Sequence, residues 1–420
     1  MNFKKTFKRL AALLTATCLM TAVAGCVSKP SEVSENVFTP GPELSDLISS
    51  TTGEVPLKVW VSDGNEALVT GLTEKFKTLY PSVTFNITVE NFTSDEIVSK
   101  MCVDVLGGAD VYTLEDSDID TLIGAGALGD IKTYYTYNPT ETNVKGSVIT
   151  AQREGKLTCY PYSVDNGYFL YYNSKIYSAE DVTSFDSMIS KAQETDTYIS
   201  LNVSDGWYLY GFFAAAGYEV DSETCTWDKQ GATSIAEGIM SLYESGRVFD
   251  LNDSDTGVGV MSGKISAFVS GMWREDTTEY AWGSNMKAAV LPEFTADGQS
   301  FQTASFAEYT YYGVNPYSRQ TEWSSVLAEY LSGKESQLAG YLQKGIVPCN
   351  NEAFSDDALK TDVCASALHD QCVYADPMRV GDEYWEASSR FGAILSSGDL
   401  NGQSLQDLMY DITDEILGKR

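Results

Sequence analysis

Residues 57–62, L-K-V-W-V-S, alternate between apolar and polar or small side chains, and residues 83–89, V-T-F-N-I-T-V, do the same. Between them Leu68, Leu72, Phe76 and Leu79 recur at helical spacing, and the run stops at Pro81. Strand, helix, strand in that order leaves the chain little choice. The second strand returns beside the first, parallel to it, through a right-handed crossover. A third step, residues 107–131, reads as a buried strand, a polar turn and a short helix ending at glycine. The fold class predicted is therefore α/β. In open sheets of this class ligands lie beyond the carboxyl ends of the strands. The turns Ser62-Asp63-Gly64 and Glu115-Asp116-Ser117 fall on that edge, which makes Asp63, Glu115 and Asp116 candidate ligand contacts.

The 420 residues leave room for two such domains, each with its own core. A net charge of -31 offers no basic stripe for phosphate contact and argues against nucleic acid as a partner. The amino terminus has a different character. Lys4, Lys5, Lys8 and Arg9 precede a short apolar stretch that ends in Val23-Ala24-Gly25-Cys26. That order reads as an export signal and resembles a bacterial lipobox, in which Cys26 would carry the lipid. Residues 1–25 are then the signal peptide and 26–55, rich in Ser, Thr, Pro and Glu, a flexible tether. The membrane would be touched through that lipid only, on the outer face of the cell membrane. Cys102, Cys159, Cys225, Cys349, Cys364 and Cys372 remain beyond Cys26. A Cys364–Cys372 disulfide and buried free thiols fit equally well. No metal site is expected, because His369 is the sole histidine and no C-x-x-C occurs.

From about residue 160 the chain turns aromatic: Y-P-Y-S-V-D-N-G-Y-F-L-Y-Y-N (160–173), S-D-G-W-Y-L-Y-G-F-F (204–213) and A-E-Y-T-Y-Y-G-V-N-P (307–316). A pyranose has a C–H face that an aromatic plane covers and a hydroxyl rim that carboxylates and amides bind. Trp207 beside Asp205, Trp385 beside Glu383 and Glu386, and Trp273 near Glu275 have that pairing. For any single ring the core is the commoner home. No G-x-S-x-G, H-E-x-x-H or phosphate-binding loop is present, and D-S-D-I-D (116–120) lacks the glycine and glutamate of a calcium loop. Glycoside hydrolysis needs only two carboxylates, so a surface glycoside hydrolase or a carbohydrate-binding module stays open as an alternative.

In their order along residues 56–415 these stretches resemble the extracellular solute-binding proteins of ABC importers, within them the maltodextrin-binding-like branch. The matching segments include L-K-V-W-V-S-D-G-N, A-D-V-Y-T-L-E-D-S-D, M-S-G-K-I-S-A-F-V-S-G-M-W, Y-Y-G-V-N-P and the Y-W-E helix. The resemblance implies a two-lobed periplasmic-binding-protein-like fold of type II, with crossings near Tyr162–Asn166, Ala307–Tyr311 and Val347–Asn350. One lobe would comprise 56–163 and 311–347, the other 166–307 and 350–420. It also implies an oligosaccharide ligand, ABC permease partners, no enzymatic activity, no cofactor and a monomer. Trp207, Trp273 and Trp385 take the places of stacking rings, and Asp165, Asp205 and Tyr309 join them as cleft residues. Where maltodextrin binders place a tryptophan after the third strand, this chain has Leu114-Glu115-Asp116. That departure keeps a non-sugar solute open as a further alternative.

Overall fold

The computed structural model describes residues 39–419. The expected signal segment and Cys26 lie outside the described residues. The strand Glu54–Val61 buries Val55, Leu57 and Val59. It pairs in parallel with Thr84–Asn91 on one side and Val111–Glu115 on the other. The intervening helix, Glu66–Leu79, turns Leu68, Val69, Leu72 and Phe76 inward. Beyond Val111–Glu115 the sheet becomes antiparallel, adding Ser305–Val314, then Tyr160–Gly167, then Val347–Pro348 at the edge. A second sheet runs in the order Met286–Ala289, Phe169–Asn173, Ile265–Ser270, Tyr198–Ser200, Val248–Phe249. Each sheet with its helices makes one lobe of a two-lobed α/β fold.

The segments that join the lobes lie side by side. Tyr160–Gly167 leaves the first sheet and continues almost directly into Phe169–Asn173 of the second. Ser305–Val314 pairs through Thr310–Val314 with the first lobe's Val111–Glu115, and through Ser305–Ala307 with Ala375–Pro377. Val347–Pro348 flanks Ser163 and Val164.

Alternation along Ser305–Val314 locates the gap between the lobes. Ala307, Tyr309 and Tyr311 enter a core that reaches Leu114 and Val148 in one direction and Phe268 and Leu368 in the other. Of the intervening positions, Phe306 belongs to the core of the second lobe, and Tyr312 and Val314 to that of the first. Glu308 and Thr310 fall between, half-buried, where neither lobe's core extends.

Two sequence expectations need correction, and a third choice left open is decided. Residues 26–55 read as a tether, yet from residue 39 on they are ordered. Pro42–Ser50 is a helix with proline in its first turn, and it buries Leu44 and Leu47 in the first lobe's core. Thr51 accepts the Trp323 indole N–H at 2.9 Å. Two leucines three residues apart suffice to dock one short helix, and the polar composition around them conceals this. Residues 323–342, W-S-S-V-L-A-E-Y-L-S-G-K-E-S-Q-L-A-G-Y-L, have a helical pattern throughout, yet they fall in two helices, Thr321–Leu331 and Lys334–Lys344, broken at Ser332-Gly333. Of the two readings left open for the cysteines, thiols hold: none of the six described cysteines is in a disulfide. Cys364 and Cys372 bound opposite ends of one helical stretch, eight residues or about 12 Å apart, too far for a disulfide.

Candidate functional site

The aromatic stretch at 204–213 forms the helix Gly206–Ala215. Asp205 caps it, accepting the Trp207 backbone N–H at 3.0 Å. The helix is apolar on all sides, so most of it sinks into the second lobe: Leu209, Phe212 and Phe213 are buried, and Phe213 stacks on Trp227 at 4.2 Å. Trp207, in the first turn, stays half-buried. Its ring lies 5.2 Å from Phe306 and 6.4 Å from Trp385, the two indoles inclined by 26°. Tyr210 stacks on Phe306 at 3.8 Å and donates its hydroxyl to Asp376 at 2.9 Å.

Trp385 reaches this wall because its helix, Asp382–Ser397, docks unusually close. A Cβ on Gly392 would stand 1.7 Å from the Val203 carbonyl oxygen, so only glycine fits there. Tyr384 donates to the Gly206 carbonyl at 2.7 Å and fixes the two helices together. Trp207 and Trp385 thus stand half-buried side by side, backed by the buried rings of Phe306 and Tyr210. The Trp207 Nε1 is buried and has no acceptor among the described residues.

Trp273 stands apart from that surface and is 49% exposed. Its ring folds back over Gly271, and its Nε1 donates to Asp253 Oδ2 at 2.8 Å. The other Asp253 oxygen accepts from Ser270 at 3.2 Å, and Ser270 hydrogen-bonds Tyr208. Asp253, Ser270 and Tyr208 therefore tie Trp273 to the helix that carries Trp207.

Carboxyl groups occupy the floor between the lobes. Glu308 emerges just past the point where Thr310 pairs with Glu115, the last residue of its strand, and Asp116 leaves the sheet at the same place. Asp116 Oδ1 accepts the Ser117 N–H at 3.1 Å, whereas Oδ2 is buried without a donor among the described residues. Burial first, and the charge of Glu308 second, push the Asp116 carboxyl up to about 8. Burial also raises Glu308, which Asn166 opposes by hydrogen-bonding to it. Asp205 is raised as well, chiefly by burial. Beside Asp116 opens a cleft of about 520 Å³. Asp116, Asp120 and Arg153 line it from the chain before the first crossing, and Ser222, Met378 and Arg379 from the chain after it. Arg153 is held by Asp120 at 2.7 Å.

Of the residues singled out in the sequence, Trp207 and Trp385 come together, with Asp205 beside them. Glu115 and Asp116 meet at the floor. Asp63 is exposed, in a left-handed turn at the end of the first strand, and accepts from Ser62 at 2.9 Å. Asp165 is the residue that the register skips between Val164 and Asn166, a bulge in the first crossing strand, and its side chain lies outside the described part. Tyr309 is not a cleft residue. It is 0% exposed and faces Gly146 in the core beneath the crossings, because alternation sends it opposite to Glu308. Glu308 was missed, although the same alternation in A-E-Y-T marks it. Phe306, Asp253 and Asn166 carried no comparable signal. Among the described residues, Glu275, Asp362 and Cys364 alone gather potential metal ligands within 4.8 Å. Asp362 already serves there as a helix cap to Cys364 and Ala365 and as acceptor for Tyr341 at 2.6 Å.

Comparison with known proteins places this geometry. A family model described as bacterial extracellular solute-binding protein matches residues 71–366. The chain is 22% identical over 288 residues to the galactooligosaccharide-binding protein of Bacillus subtilis (strain 168), covering 64% of this chain and 67% of that protein. A maltodextrin binding protein from L. casei BL23, solved without ligand, superposes with a TM-score of 0.73 at 18% identity, covering 87% of this chain and 100% of the other. An extracellular solute-binding protein from Staphylococcus aureus in complex with maltose gives 0.72 at 16% identity, over 88% and 98%.

Proposed function

The chain belongs to the bacterial extracellular solute-binding proteins, and from that premise we propose that it captures an oligosaccharide between its lobes for delivery to an ABC permease. Membership of a solute-binding family points to binding rather than catalysis. One observation carries the choice of a sugar: the half-buried indoles of Trp207 and Trp385 are backed by the buried rings of Phe306 and Tyr210, with Glu308 two residues along the strand from Phe306. Such indoles take the C–H face of a pyranose, and Glu308, Asn166 and Asp116 take its hydroxyls. The galactooligosaccharide and maltose named for its relatives support the same class. Glu115 and Asp205 flank these rings, Trp273 stands apart toward the rim, and Asp63 stands at the far strand end. The lobes divide at the three crossing segments, 56–163 with 311–347 and 166–307 with 350–420, preceded by the ordered helix at 42–50.

Calorimetric titration with a panel of malto- and galacto-oligosaccharides tests this reading. Saturable binding of at least one is the expected result. Binding of none, in folded protein, would contradict it.

The lipid anchor belongs to the same reading and rests on Val23-Ala24-Gly25-Cys26. Mass spectrometry of the membrane-extracted protein should find an acylated Cys26 at the mature terminus. A soluble, unacylated product from the native host would remove the anchor and leave the binding reading intact.

A further inference from the structure

Three neighbouring strands of the second sheet end on one edge. Tyr198–Ser200 lies between Val248–Phe249 and Ile265–Ser270 and runs parallel to both, so the three carboxyl ends point the same way. In a sheet of this class that edge is where ligand is held. The middle strand leads through Asp205 to Trp207, one flanking strand leads to Asp253, and the other to Trp273. The pose of Trp273 is closely specified. A Cβ on Gly271 would stand 2.0 Å from the six-membered part of the indole, so that face of the ring rests on bare backbone. Gly271 has φ -99°, which any residue adopts, so it is the space for the ring and not the backbone that calls for glycine. The indole Nε1 donates to Asp253 Oδ2 at 2.8 Å, and Asp253 Oδ1 accepts from Ser270 at 3.2 Å. Ser270 is fully buried, which seats this holder in the lobe. With one face on Gly271 and its N–H edge on Asp253, the half-exposed ring has its other face left to offer.

We propose that Asp253 is a positioning residue: with Ser270 and Gly271 it holds the Trp273 indole as a preformed plate whose free face stacks on a pyranose ring of the ligand. This rests on the oligosaccharide reading above and adds to it a residue that acts through a ring rather than on the sugar. A half-exposed indole without such a holder turns about its side-chain torsions, and fixing it on binding costs affinity. A ring already fixed is spared that cost. The strand ends give the holder a second consequence. Asp253 and Trp273 come from the two strands that flank the one leading to Trp207, so the hydrogen bond between them spans the strand end from which the Trp207 helix departs. The position of the Trp273 plate is thereby set relative to Trp207, although the two rings stand apart.

Two measurements test the holder, one without ligand and one with it. In the ligand-free protein the heteronuclear NOE of the Trp273 indole N–H, assigned by its loss in Trp273→Phe, reports how tightly the ring is held. It should be as high as that of the buried indoles in the native protein and in Asp253→Asn, whose amide oxygen still accepts the N–H, and should fall in Asp253→Ala. A value that stays high in Asp253→Ala would overturn the holder. With ligand, calorimetric titrations with maltotetraose and galactotriose should show Asp253→Ala binding about two- to fourfold more weakly, and Asp253→Asn close to native. Trp273→Phe removes the same hydrogen bond from the other side and should lose no less than Asp253→Ala. In a Trp273→Ala background, Asp253→Ala should cost nothing further. Native affinity in Asp253→Ala or in Trp273→Phe, or an equal loss from Asp253→Ala with and without the Trp273 ring, would overturn the positioning role. If neither sugar binds, the oligosaccharide reading and the positioning role fall together, and the NOE arm still judges the holder.

Discussion

On the side of the second lobe the cleft presents rings, Trp207 and Trp385 over Phe306, with Trp273 toward the rim. The first lobe presents strand ends there instead, with Glu115 and Asp116 where aromatic residues could have stood. The difference follows from what supports each side. Trp207 lies on an apolar helix sunk into a core of 39 buried residues' side chains, so its ring is rigidly backed. The acids sit where parallel strands stop and neither lobe's core extends, half-buried, so that burial raises Asp116 and Glu308. Stacking area, and with it affinity, should then come from the second lobe, whereas polar selectivity should come from the floor and the first lobe. On the proposed function a ligand docks on the rings first, and contacts to Glu115 and Asp116 follow as the lobes close.

The sharpest contrast is between Tyr309 and its neighbours on the same strand. Tyr309→Ala should cost about 3–5 kcal/mol of stability, as removal of a fully buried ring does, while the folded fraction binds ligand unchanged. Unfolding curves read beside calorimetry separate the two, and a loss of affinity would return Tyr309 to the cleft. Trp207→Ala comes next, with affinity falling roughly tenfold to a hundredfold through lost area and stacking. A variant that binds as well as the native protein would show that the rings are packing alone. Trp273→Ala should lower affinity only a few-fold, because the ring is half-exposed and linked to the wall through Asp253 rather than part of it. A loss matching that of Trp207→Ala would mean the aromatic surface extends to the rim without a break.

How much of this was legible in the chain depended on how local the cause is. The parallel opening could be read because Leu68, Leu72 and Phe76 declare their helix within a few turns, and flanking strands alternate plainly. The aromatic character of S-D-G-W-Y-L-Y-G-F-F was equally plain, though the part Asp205 plays as cap of its helix was not. What escaped is set by distant partners. Phe306 becomes a backing ring only because Ser305–Val314 lies beside Ala375–Pro377 and against Trp207. Glu308 is a floor residue only because two cores end on either side of it. The helix at 42–50 exists only because the first lobe offers Leu44 and Leu47 a place, and no window of its own composition announces that. Tyr309 was misplaced for a related reason. In a strand so rich in tyrosine, ring content alone does not say which face is inward.

The central claim is that ligand is held between the two lobes, across the interval where Glu308 and Thr310 emerge. Small-angle scattering with and without a saturating oligosaccharide, established as bound by calorimetry, tests it most directly. A smaller radius of gyration in the bound protein is the expected result. An unchanged radius with binding intact would place the sugar on a rigid surface of one lobe and contradict the account.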